Sequence, residues 1–190
     1  MMPAVTSPII FTIGHSNHPM ERFLELLRQA GIERLVDVRS QPYSRWVPQF
    51  RRRTLAEALP EAGVDYVFLG EALGGRPSGD EFYAADGKPD YAARIRAPDF
   101  QAGVEELLRL AAERPTVIMC AEENPARCHR RALIAPVLLA RGTGVVHVRG
   151  DARLQEEGEG RSPDGQLGLF SQPPRPGARP TRPLRTRRRP

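Results

Sequence analysis

The chain has 190 residues, a net charge of +5, 40% hydrophobic residues and two cysteines. That length holds one domain with a sizeable core and leaves room for an appendage. The first residues carry no basic stretch running into an apolar one, and no apolar run nears about 18 residues, so the expectation is a cytoplasmic protein with no leader, membrane span or structural disulfide.

The charge is uneven. Residues 171–190 hold seven Arg and no acid, whereas residues 1–170 hold 21 basic and 23 acidic residues. The folded part is therefore near neutral and the basicity is a tail. Lys88 is the sole lysine, so the preference for Arg reads as compositional rather than as recognition.

In chain order, Ile9–Ile13 predicts a first strand and Gly14-His15-Ser16-Asn17 a tight loop. A helix then starts at His18-Pro19, places Met20, Phe23, Leu26, Leu27 and Ala30 on one face, and stops at Gly31. Leu35–Arg39 is strand two, ending in Ser40-Gln41-Pro42. Arg51–Leu59 predicts a helix cut short by Pro60, and Asp65–Leu69 is strand three, followed by Gly70, Gly74 and Gly75. Residues 76–98 are broken by Pro and Gly, with a short helix near Tyr91. Asp99 is expected to cap a longer helix carrying Phe100, Val104, Leu107, Leu108 and Ala111.

The stretch from Val117 to Arg131 is the most informative. Its apolar start reads as a buried strand four, and Cys128 to Leu139 reads as a helix. Asn124 is expected as N-cap and Pro125 as the first helical residue, placing Cys128 in the first turn, where free N–H groups favour a thiolate or a bound anion. Val145–Val148 is strand five. From residue 151 onward no period persists, and Gly, Pro, Glu and Arg dominate. Strands alternating with helices imply one three-layer α/β domain over residues 1–150. It would hold a mainly parallel sheet of about five strands, with a disordered tail over 151–190.

Ligands of open α/β sheets bind at the carboxyl ends of the strands, and polar residues gather at four of those ends. Strand one delivers His15, Ser16 and Asn17; strand two, Asp37 and Arg39. Strand three leads to Glu71, Gly74, Gly75 and Arg76, and strand four to Cys120, Glu122 and Glu123, with Cys128, His129 and Arg130 following. Cys120 or Cys128 reads as a nucleophile, activated by the neighbouring Arg127, His129 and Arg130, with Glu122 or His15 as general acid or base. The remaining residues of that set read as substrate contacts. His15, Asp37, Arg39, Glu71, Cys120 and Glu122 are expected to line one cleft.

Thr12-Ile13-Gly14-His15-Ser16-Asn17, Val36-Asp37-Val38-Arg39 with Pro42 and Ser44, Leu69-Gly70-Glu71-Ala72-Leu73-Gly74-Gly75, and Cys120-Ala121-Glu122 leading to Cys128-His129-Arg130 together resemble the domain-of-unknown-function family 488. The resemblance runs from about residue 9 to 149 and implies the fold boundaries and the motif residues; it supplies no reaction. A Cys closing a strand before an anion-binding loop also looks like rhodaneses and Cys-dependent phosphatases, but where those loops place an Arg, six after the Cys, this chain has Ala126. Cys128-His129-Arg130 resembles the acceptor-cysteine tripeptide of DNA alkylguanine alkyltransferases. A zinc site from Cys120, Cys128, His129 and His15 lacks the usual C-x₂₋₄-C spacing. No metal and no cofactor is expected.

In the tail, Gln166, Leu167, Leu169 and Phe170 form a pentapeptide with Gly168 that looks like the motif by which bacterial polymerases and repair proteins bind the sliding clamp. The Arg-rich end beyond it suits sequence-independent contact with nucleic acid phosphates. The leading expectation is a repair-associated DNA-maintenance enzyme acting on a nucleotide, or on a modified base or phosphate in nucleic acid. The alternatives are a non-catalytic anion-binding adaptor and a small-molecule Cys enzyme unrelated to DNA.

Overall fold

The central strands of the sheet are covered on both faces. All four residues of β2 (Arg34–Asp37) and all five of β4 (Thr116–Cys120) are buried, as strands covered on both faces must be. A computed structural model of the chain describes residues 8–158. With β1 (Ile9–Gly14), β3 (Asp65–Phe68), β5 (Gly144–Val148) and β6 (Leu154–Glu156), these strands make one sheet in the order β3-β2-β4-β1-β5-β6. All neighbours are parallel except the β5–β6 pair.

Alternation along the strands divides the core in two. Ile13, Leu35, Val117, Met119 and Val148 pack on one face with α1 (Met20–Gln29) and α2 (Arg52–Glu61). Ile10, Val36, Val38, Ile118 and Val145 pack on the other with α5 (Pro98–Glu113) and α6 (Ala135–Ala140). The short α3 (Gly70–Leu73) and α4 (Tyr91–Arg96) lie between β3 and α5 in the chain. The three-layer α/β expectation holds, with six strands rather than about five. Gly31 ends α1 as expected, with φ +66° letting the Ile32 N–H reach back to the Leu27 carbonyl at 3.0 Å.

Four local expectations are corrected. Pro60 does not stop α2 but sits inside its last turn, where only one further residue is helical. Asp99 is not the cap of α5: Ala97 is, with Pro98 in the first turn, and the Asp99 carboxylate instead accepts from Arg94 Nη1 at 2.8 Å. Residues 125–127 form a separate 3₁₀ turn. Cys128 after it is extended (φ −130°, ψ 147°), and the helix resumes as a π turn at Arg130–Ile134. Cys128 therefore lies before a helix rather than in its first turn, and its carbonyl accepts from the Arg131 N–H at 3.1 Å.

The domain also runs past residue 150. β6 pairs with β5, and Glu157 accepts from Arg131 Nε at 2.9 Å. A three-residue strand with exposed Leu154 carries no apolar period to read. Among the described residues no helix is long and apolar enough to cross a membrane.

Phe100 is fully buried on the α5 face. Phe100→Ala should cost about 3–5 kcal/mol through lost transfer energy plus the cavity left behind. Urea unfolding should show this as a lower midpoint at unchanged slope.

Candidate functional site

Three strand ends are stitched together at the carboxyl edge of the sheet. The His15 N–H donates to the Cys120 carbonyl at 2.9 Å, that of Ser16 to Ala121 at 2.8 Å, and that of Val38 to Met119 at 3.1 Å. Above β2 and β4 this leaves a cavity of about 400 Å³, within the usual range for small-ligand sites. Its walls are Arg39, Ser40, Gln41, Gly75, Arg76 and Tyr91 on one side and Cys120, Ala121, Glu122, Arg127, Cys128 and His129 on the other.

Two sulfurs and an imidazole converge there. His129 Nδ1 is 3.5 Å from Cys120 Sγ and 3.8 Å from Cys128 Sγ. His129 Nε2 is 3.0 Å from the Val38 carbonyl, which only accepts, so Nε2 carries a proton and Nδ1 is the ring atom facing both sulfurs. The ring is held by close packing: a Cβ built on Gly75 would lie 2.6 Å from His129 Cγ.

Arg130 is 1% exposed. Its Nε donates to Cys128 Sγ at 3.2 Å, its Nη1 to Thr12 Oγ1 at 3.1 Å and its Nη2 to the Glu122 carbonyl. Thr12 Oγ1 in turn donates to His147 Nδ1 at 2.7 Å, and His147 Nε2 to Glu157 at 2.7 Å. The Cys128 thiol is held well below its ordinary range by the hydrogen bond from Cys120, with His129 and Arg130 adding to it. The Cys120 thiol is pushed up by the same bond with Cys128 and by burial. The two thiols therefore titrate as a pair rather than independently.

The remaining expected site residues divide. Asp37 is fully buried and is not in the cavity wall. Its carboxylate accepts from Arg39 Nε at 2.9 Å, Arg39 Nη2 at 2.7 Å and the Tyr66 hydroxyl at 2.9 Å. It orients Arg39, which does line the cavity. His15 is also buried beneath the cavity rather than in its wall: Nδ1–H donates to the Ser16 carbonyl at 2.8 Å, and Nε2 accepts from Arg39 at 3.0 Å. Its ring stacks on Phe50 at 4.4 Å. Burial, then the Arg39 charge, push its pKa down to about 4. With both nitrogens engaged it is no free general base.

Ser16 and Asn17 stay on the loop outside the cavity, joined to each other at 3.4 Å. Glu71 is exposed in a neighbouring cavity of about 300 Å³ that shares Ser40 and Arg76 with the first. Gly74 is buried against Ser40. Glu122 is exposed at the lip, while Glu123 is tied to Arg149 at 2.9 Å. Ser40, Gln41 and Tyr91 escaped the sequence reading as site residues. Ser40 and Gln41 directly continue the chain from Arg39, which was signal enough. Tyr91, whose hydroxyl lies 3.4 Å from the Gly75 carbonyl, had none beyond starting a helix after the Asp90 cap.

The model of the family described as Domain of unknown function DUF488 matches residues 19–136. The chain belongs to this family. The DUF488 match contains every residue of the cavity wall, whereas His15, Thr12, His147 and Glu157, which brace it, fall outside. No curated protein and no solved structure matches the chain.

Gly75→Ala should drive a methyl into the His129 ring and cost about 1–3 kcal/mol, with His129 Nε2 losing its protection from solvent exchange by NMR. His15 sets a pH dependence. Its folded pKa lies below the unfolded value of 6.5, so below pH 6.5 the unfolded chain takes up a proton that the folded one refuses. Stability should therefore fall by up to ~3 kcal/mol between pH 6.5 and 4. His15→Asn should flatten that slope in denaturant titrations across the range, whatever it does to stability at pH 7.

Proposed function

We propose that this chain is a DNA-maintenance enzyme, a hydrolase or group-transfer catalyst acting on a nucleotide or on a modified base or phosphate in nucleic acid. The observation that carries the reading is the convergence of Cys120, Cys128 and His129 in one cavity whose wall also holds Arg39, Arg76 and Arg127. The arginines suit a phosphate group; the sulfur–imidazole floor suits generation of a nucleophile. Arg39 is the orienting cation, because Asp37 fixes its guanidinium from below while three of its five N–H groups are engaged. Glu122, on the lip, is placed to exchange a proton with the leaving group or with water.

The link to DNA rests on the tail, which lies outside the described residues: Gln166, Leu167, Leu169 and Phe170 as a sliding-clamp peptide, and the Arg-rich end as a phosphate contact. Tethering of this kind raises the local concentration of substrate without a new contact at the pocket.

Two measurements test the two halves separately. In a turnover screen over nucleotides and alkylated or nicked oligonucleotides, Cys120→Ser and Cys128→Ser should each lose activity, and Glu122→Gln should lose about 10- to 100-fold. Binding with no turnover of any such substrate would favour the anion-binding adaptor. In titrations against a bacterial sliding clamp, a 160–175 peptide should bind at roughly micromolar Kd, and replacing Leu169 and Phe170 by Ala should remove ~3 kcal/mol or more. Equal binding of the two peptides would remove the DNA link and bring the small-molecule Cys enzyme forward.

A further inference from the structure

Sequence spacing argued against zinc, because seven residues separate Cys120 from Cys128. The fold supplies what spacing does not. Cys120 closes β4, the loop doubles back through the 3₁₀ turn, and Cys128 and His129 return to the same spot. Cys120 Sγ, Cys128 Sγ and His129 Nδ1 all lie within 4.8 Å of one another, the one such trio among the described residues. The two N···S separations are 3.5 and 3.8 Å. They are close to the ~3.5 Å that two ligands keep around a tetrahedral zinc, given bonds of about 2.3 Å to sulfur and 2.0–2.1 Å to nitrogen.

The surroundings are those of a ligand set. His129 donates its far N–H to the Val38 carbonyl, the outer contact that fixes tautomer and ring angle in metal-binding histidines. Arg130 donates to Cys128 Sγ, as charged donors do to a metal-bound thiolate. His15 is excluded from the set, since both its nitrogens are engaged elsewhere.

We propose that Cys120, Cys128 and His129 bind one zinc-class divalent ion through three protein ligands, with the fourth position open to the cavity. On binding, thiol protons pass to solvent as the metal–sulfur bonds form, and Nδ1 contributes its lone pair. Two thiolates then balance the ion's two charges, and no oxidation or reduction is involved. Three protein ligands plus an open position is the composition of a catalytic rather than a structural zinc site. What the ion does there rests on the reading of the cavity as a site of chemistry, whereas its binding does not.

The test titrates Co(II), then Zn(II), into the full chain after dialysis against chelator under reducing conditions. One Co(II) per chain should appear with near-ultraviolet sulfur-to-metal charge-transfer absorption and the strong visible bands of tetrahedral coordination. Zn(II) should displace it with sub-micromolar affinity. Cys120→Ser, Cys128→Ser and His129→Gln should each weaken binding by at least ~100-fold, and circular dichroism would identify any variant that fails to fold. The wild-type spectrum alone decides the matter if all three fail. Absent charge-transfer bands, octahedral bands only, or unchanged binding in both Cys variants would overturn the proposal. A tetrahedral site in a chain that turns over no substrate would leave the metal site standing and remove the proposed function instead.

Discussion

Arg130 is a buried cation with no carboxylate partner among the described residues. Its three contacts are a sulfur, a hydroxyl and a backbone carbonyl, and a charge taken out of water needs compensation that neutral acceptors supply only in part. The contact of its Nε with Cys128 Sγ favours the thiolate form there. The same guanidinium joins β1, through Thr12, to the loop after β4, through the Glu122 carbonyl. Electrostatics and the shape of the cavity floor thus depend on one side chain.

A second buried arginine is treated differently, and the contrast explains how the cavity is divided. Arg39 has a carboxylate directly beneath it, with Tyr66 completing the acceptor set of Asp37. That pair is neutral overall, so Arg39 can face a ligand without demanding an anion to stay buried. His15 completes the arrangement by remaining uncharged: stacked on Phe50 and in contact with Arg39, its ring offers an acceptor where a protonated ring would repel. One arginine faces the protein's own sulfur, and the other lines the cavity.

What the sequence made legible follows from which forces are local. Hydrophobic alternation and punctuation by Gly and Pro placed β1 to β5, α1 and the stop at Gly31, because burial on two faces leaves continuous apolar runs. Strand ends pointed to Arg39, Cys120 and Glu122, which do meet in one cavity. Long-range packing hid the rest. Asp37 and His15 looked like cavity groups because strand position says nothing of depth, and they lie beneath it. Cys128 looked like a first-turn residue because Asn-Pro signals a helix start. The signal was obeyed by a 3₁₀ turn of three residues, after which the chain had to extend to bring the sulfur back to Cys120. β6 was invisible because Glu157 and its partners Arg131 and His147 hold it more than apolar burial does.

The two cysteines are consequently unequal, and that inequality orders events at the site. Of the two sulfurs, Arg130 donates only to that of Cys128, which favours negative charge there. Cys120 Sγ lies 3.5 Å from a His129 Nδ1 held in place by Val38 and Gly75. An entering cation or electrophile meets two sulfurs and a nitrogen already gathered at one spot. The backbone around them is held by the bonds from His15 and Ser16. A site whose donors are set before the ligand arrives spends little of its interaction energy on ordering them, and here the ordering is done by Arg130 from behind the sulfur rather than by anything in the cavity itself.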